Sequence, residues 1–181
     1  MIAPVDISNA RLETARLILR PWEESDLADF YEYASVDGVG QMAGWAPHKS
    51  MEESKAILKL FAEGKKTFAI VERHTGKAIG SIGLEERDAP GEISGQGREL
   101  GYVLSKAYWG RGLMPEAVEA VIRYCFDTLN WDWLTCCHFI SNHQSQRVIE
   151  KSGFQYLRTF LFETRMGTVE PTKEYILYNK R

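Results

Sequence analysis

Along residues 16–21 (RLILRP) apolar and polar side chains alternate, the signature of a half-buried strand. Residues 23–35 then carry Leu27, Phe30, Tyr31 and Ala34 at helical spacing, with Ser25 as an N-cap candidate. Residues 38–50 hold Gly40, Gly44 and Pro47 and form a loop containing Trp45 and His48. Ser50 followed by Glu53 resembles a capping box for a second helix, in which Ile57, Leu58, Leu60 and Phe61 make the apolar side. Residues 67–73 and 77–84 are two strands joined by His74-Thr75-Gly76, a hairpin signal. Residues 88–97 are an exposed, mobile loop rich in Gly, Pro and acid, and residues 99–105 are the next strand.

A third helix carries Ala117, Val118, Val121, Ile122, Cys125, Phe126 and Leu129 as one wide apolar stripe. Residues 133–140 read as a strand and 142–152 as a short helix stopped by Gly153. Residues 154–164 and 173–178 close the chain as a strand pair around Gly167. The order mixes hairpins with helical crossovers, which predicts a mixed sheet with helices packed on it. There is no internal repeat or linker, so the 181 residues are expected to make one domain.

Composition narrows the function classes. Hydrophobic content of 44% and charged content of 26% are ordinary for a soluble protein, and no apolar run is long enough for a membrane span. The first residues lack a secretory layout, which makes the cytoplasm the expected location. A net charge of −3 without a basic stripe argues against nucleic acid and leans toward a cationic substrate such as an amine. Cys125, Cys136 and Cys137 are an odd set with two neighbours that would point to opposite strand faces, so reduced, structural thiols and no metal are expected.

Candidate chemistry begins in GYVLSKAYWGRGLMPEAV (101–118). Glycines at 110 and 112 bare the backbone just before a helix start that carries Pro115 and Glu116, an arrangement suited to phosphate. A P-loop needs G-x-x-x-x-G-K-[S/T], which is absent. A Rossmann loop needs a third glycine where Pro115 stands. Coenzyme A pyrophosphate is the remaining reading.

Three segments, LETARLILRPWEESDLADFYEY (12–33), the 101–118 segment and SNHQSQRVIEKSGF (141–154), keep an order and spacing that resemble the GNAT superfamily of N-acetyltransferases. Within it they resemble the branch that includes the ribosomal-protein alanine/serine N-terminal acetyltransferases. The superfamily loop Q/R-x-x-G-x-G/A maps onto Trp109-x-x-Gly112-x-Met114, so Trp109 and Met114 depart from it. The resemblance implies a single α/β (α+β) domain. Its mixed, mostly antiparallel sheet of six to seven strands is flanked by about four helices, and strands 99–105 and 133–140 splay into a V. It implies that Gly110, Arg111, Gly112, Leu113 and Met114 cradle the pyrophosphate of acetyl-CoA. It also implies that the pantetheine arm pairs with the backbone of Tyr102, Val103 and Leu104 as a substitute strand. One of those N–H groups faces the thioester oxygen, and Asn142 bonds the pantetheine amide or caps its helix.

The resemblance further implies acetyl transfer to a primary amine, here a protein α-amine, by direct attack in a ternary complex. An α-amine near pKa ~8 is partly neutral at pH 7 and asks for little base catalysis. Glu85 is the first candidate base, with Glu86 and His138 beside it; Glu99 is equally a strand-edge or ion-pair residue. Aligned on the family, Ile149 stands where many members supply a leaving-group tyrosine, and Ser145 is the candidate donor to the leaving thiolate. A small amine such as a polyamine, amino sugar or amino acid is the alternative acceptor. A non-catalytic acyl-CoA-binding module and a bare structural domain are the readings from other classes. The late strands and exposed aromatics leave room for a homodimer.

Overall fold

The computed structural model describes residues 1–180. Among them eight strands form one sheet in the spatial order β1-β2-β3-β4-β5-β6-β8-β7. In chain order these are β1 (Leu12–Glu13), β2 (Leu17–Pro21), β3 (Thr67–Glu72), β4 (Ala78–Glu85), β5 (Gly97–Leu104), β6 (Trp133–Phe139), β7 (Gln155–Glu163) and β8 (Val169–Tyr178). Every named pairing is antiparallel except β5 with β6. Helices α1 (Leu27–Ala34) and α2 (Met51–Gly64) cover one face, and α3 (Leu113–Arg123) and α4 (His143–Lys151) cover the other.

Seven of these strands follow from the periodicity. The eighth, β1, is two residues long and too short to carry an alternation of its own. β8 starts at Val169, before the expected 173, because Pro171 can sit in the ladder as an acceptor: its carbonyl takes the Ile140 N–H at 2.9 Å.

The α2 cap forms as the sequence suggests. Ser50 Oγ accepts the Glu53 N–H at 3.1 Å, while the Glu53 carboxylate reaches back to the Lys49 N–H at 2.7 Å. The start of α1 differs, since Ser25 caps nothing. A short 3-10 turn, Glu24–Asp26, precedes the helix, and Asp26 accepts the Glu23 N–H at 2.9 Å. The same carboxylate takes two bonds from Arg20, at 2.8 and 2.9 Å, and ties the helix entry to β2.

Two cores sandwich the sheet. Leu17, Leu19, Ile79, Leu100, Val118, Val121 and Ile149 pack on the α3/α4 side; Trp22, Phe30, Tyr33 and Leu58 pack on the α1/α2 side. The stripe of helix three is used throughout, although after Arg123 the chain widens into a π-turn, Tyr124–Thr128. All three cysteines are free thiols. No helix among the described residues is long and apolar enough to cross a membrane.

Candidate active site

β5 and β6 pair only from Gly97↔Trp133 to Leu100↔Cys136, and the remainder of β5 diverges from its neighbour. Along β5 alternate side chains point to opposite faces. Leu100, Tyr102 and Leu104 join the α3/α4 core, and Val103 packs toward α1/α2. The main-chain directions follow from two contacts. The Ser105 N–H bonds to the Ile79 carbonyl at 2.7 Å, and the Val103 carbonyl lies against Gly80 of β4. By alternation the amides of Tyr102 and Leu104 face the splay, whereas those of Val103 face β4. The Leu104 carbonyl is already taken by the Trp109 indole N–H at 2.8 Å. The Tyr102 and Leu104 N–H groups are thus the outward donors of this stretch. Trp109, one of the two departures from the family loop, braces strand to loop.

The loop at 110–112 opens at one end of this cleft. Gly110 and Gly112 have φ of +74° and +73°, which side-chain-bearing residues rarely adopt. A Cβ at Gly110 would meet no atom within 4 Å, and one at Gly112 would first meet Arg16 Nη2 at 3.6 Å. The surface is bare and roomy, as a backbone cradle requires. Arg16 locks it from behind, donating to the Arg111 carbonyl at 2.9 Å and to Glu116 at 3.1 Å. Burial works to raise the Glu116 pKa, yet hydrogen bonds from Thr14 and Arg16 hold it below the usual carboxylate value. Arg147 and Lys151, one turn apart on α4, line the same hollow with Arg111. Both escaped the sequence reading, where their i, i+4 spacing was the available signal.

Ser145 and Tyr102 meet where α4 faces the splay. Their hydroxyl oxygens are 2.7 Å apart, and the tyrosine is also 3.3 Å from the Ser145 carbonyl. Burial drives the Tyr102 pKa well above the ordinary phenol value, so the group is a neutral donor. Either hydroxyl can donate in the 2.7 Å contact; where Tyr102 donates to Ser145 Oγ, the serine's own hydrogen is left for the cleft that both residues line. Asn142 caps α4, its Oδ1 accepting the Ser145 N–H at 3.1 Å, and it also lines the cleft. Ile149 is a core residue.

The carboxylate on the cleft wall is Glu99. Glu85, its partner across β4 and β5, turns to Lys66 at 2.6 Å and does not line the cleft; Glu86 is 3.5 Å from Arg98. Glu99 accepts from the Cys137 thiol at 3.1 Å and lies 3.3 Å from the Arg87 guanidinium. Burial raises its pKa above the usual value; Arg87 and Cys137 pull it down, and Glu174 and Glu85 push it up. Glu99, Cys137 and Glu174 offer ligand atoms within 4.8 Å of one another; Arg87 stands beside Glu99 and Arg158 beside one oxygen of Glu174, whose other oxygen has no hydrogen-bond partner among the described residues. His138 is committed, with Nδ1 2.7 Å from the Phe139 carbonyl and Nε2 3.2 Å from the Tyr175 hydroxyl, and burial lowers its pKa. Cys136 is buried on the face opposite Cys137, and burial drives its thiol pKa upward.

Comparison with known proteins agrees with this fold. A family model described as an acetyltransferase (GNAT) domain matches residues 16–155. The uncharacterized N-acetyltransferase YoaA of Bacillus subtilis (strain 168) is 28% identical over 178 residues, 94% of this chain and 97% of its own. Among solved structures, a GNAT-family acetyltransferase from Bacillus anthracis superposes with a TM-score of 0.83 at 21% identity, covering 94% of this chain and 99% of that one. A ribosomal-protein alanine acetyltransferase from Vibrio fischeri gives 0.73 at 20% identity, with 95% and 98% covered. The spermidine N-acetyltransferase from Vibrio cholerae, solved with CoA and spermine, gives 0.74 at 16% identity, with 92% and 97% covered.

Proposed function

The chain belongs to the GNAT acetyltransferase family, and on that premise we propose that it moves the acetyl group of acetyl-CoA onto a protein N-terminal α-amine. The observation that carries this reading is the diverging edge of β5. It offers main-chain donors at Tyr102 and Leu104 between a bare glycine cradle and the half-buried carboxylate of Glu99. In our reading Gly110–Met114, Arg111, Arg147 and Lys151 hold the phosphates. The main-chain N–H groups at 102 and 104 hold the arm of the co-substrate, and Asn142 lies along its path.

Both substrates bind before chemistry. The amine attacks the thioester carbonyl carbon, whose oxygen gains charge and is met by a β5 N–H. The tetrahedral adduct collapses, the C–S bond breaks, and the amine's proton passes to Glu99, directly or through water. Ser145, backed by Tyr102, donates to the leaving thiolate. Burial makes Glu99 a stronger proton acceptor than an exposed glutamate, which suits an α-amine.

Coenzyme A release, followed with Ala- and Ser-initiated peptides, polyamines and amino sugars, tests the acceptor. Melting shifted by acetyl-CoA tests the donor site separately, since ligand at 100 times its Kd adds about 2.7 kcal/mol. The free thiols suit a reducing compartment, and we assign the reaction to the cytoplasm. Tyr156 and Leu161, exposed on the edge strand β7, are the surface we assign to self-association, with sedimentation as the check.

A further inference from the structure

One ion pair is set into a cleft wall whose apolar residues are joined by Cys137, His138 and Thr172. Val39, Met42, Gly101, Phe139 and Phe162 line this side of the cleft, and Glu99 and Arg87 are its acid–base pair. Neighbouring acids are engaged elsewhere, Glu85 with Lys66 and Glu86 with Arg98. Arg87 is gripped from two sides. Its guanidinium is 3.3 Å from Glu99 and 3.9 Å from the Cys137 sulfur, while its Cζ lies 5.6 and 5.2 Å from the ring centres of Phe160 and Phe162.

An amine that reaches Glu99 meets a resident cation there. An acceptor with a carboxylate or carbonyl beside its amine can enter by exchange: its nitrogen takes Arg87's place on Glu99, and its oxygen takes Glu99's place on Arg87. With a carboxylate every charge then stays paired, and with a carbonyl the guanidinium keeps a hydrogen-bond acceptor. A diamine offers no oxygen and drives a second cation toward Arg87 between apolar walls, where like charges repel strongly.

We infer that Arg87 is a specificity-determining residue that admits amines bearing a neighbouring carboxylate or carbonyl oxygen and turns away di- and polyamines. This rests on the acetyltransferase reading above and narrows its acceptor. Exchange has a second effect. Arg87 is one of the groups that hold the proton affinity of Glu99 down, so an acceptor that draws the guanidinium aside strengthens the base it needs.

The test compares kcat/KM for alanine, alanine amide, an Ala-initiated tripeptide and a four-carbon diamine in the wild type, Arg87→Lys and Arg87→Met. Ratios between variants cancel the intrinsic basicity of each amine. Arg87→Met should move the ratio of diamine to alanine amide by roughly tenfold or more toward the diamine, whereas Arg87→Lys keeps the exclusion. Alanine as the best acceptor identifies a free carboxylate as the oxygen; the amide or peptide identifies a carbonyl. The inference is overturned if the wild type prefers the diamine, if Arg87→Met slows all acceptors equally, or if no α-amino acyl probe is acetylated. The melting shift caused by acetyl-CoA should be the same in all three proteins. Its loss in the wild type would sink the donor-site reading, a separate failure.

Discussion

Replacing Ser145 by alanine removes the hydroxyl that stands 2.7 Å from Tyr102 and keeps the α4 cap, which uses the Ser145 main-chain N–H. In the proposed mechanism the lost interaction is made to the leaving thiolate and exists fully only as the C–S bond breaks. Hydrogen bonds to charged groups are worth about 1.5–3 kcal/mol, so kcat should fall about 10- to 150-fold with acetyl-CoA affinity nearly unchanged. Tyr102 acts at one remove. Polarising the serine hydroxyl strengthens its bond by some 10–30%, or roughly 0.2–0.9 kcal/mol, so Tyr102→Phe should cost at most about fivefold. Because that effect runs through Ser145, the double variant should be no slower than Ser145→Ala alone. The assay is single-turnover acetyl transfer by rapid quench at saturating acetyl-CoA, which removes product release from the measured rate. An unchanged single-turnover rate in Ser145→Ala refutes the role. Equal losses from Tyr102→Phe with and without the serine refute the relay.

Glu99→Gln should lower kcat/KM by about 10²- to 10⁴-fold for the best acceptor, and a loss smaller than threefold would return the proton to bulk water. The pH profile checks the same group with two opposite signs. Burial and Glu174 raise the Glu99 pKa and Arg87 lowers it, so the acid limb of kcat lies above the ordinary glutamate value, falls in Glu174→Gln and rises in Arg87→Met. Parallel shifts in both variants would contradict this. Gly112→Asn keeps a residue tolerant of φ +73° while filling the cradle, so acetyl-CoA affinity by calorimetry should drop roughly tenfold or more with little change in melting. Asp26→Ala leaves Arg20 at the α1 entry with only the Pro21 carbonyl and the more exposed Glu23, and should cost about 3 kcal/mol in urea unfolding, the lower end for a buried pair because Arg20 keeps some exposure and these partners. Loss of under 1 kcal/mol would make that pair ornamental.

What was legible in the chain was local. The glycine loop, the Ser50 cap and the helical stripes depend on residues a few positions apart, and all recur in the structure. The splay came from family resemblance, since nothing in residues 99–105 announces where pairing with 133–140 must end. The acids show the limit most clearly. Glu85 and Glu99 are cross-strand partners, and only Lys66, nineteen residues from Glu85, turns one of them away from the cleft. Arg87 has no local signal, because its partners, Phe160 and Phe162, lie on a strand far along the chain. Likewise Tyr102 lies 43 residues in the chain from the Ser145 hydroxyl it touches. Strand β1 is too short for any periodic signal.

The divergence of β5 from β6 leaves a sheet unfinished at its centre rather than at its rim. The N–H groups of 102 and 104, beyond the end of the β5–β6 ladder, should exchange their hydrogens quickly and become protected when acetyl-CoA lies along them. A ligand that completes the sheet also adds to the stability of the whole domain. Resistance to proteolysis would then follow the local supply of acetyl-CoA, and the enzyme's own lifetime in a cell would rise and fall with the metabolite it consumes.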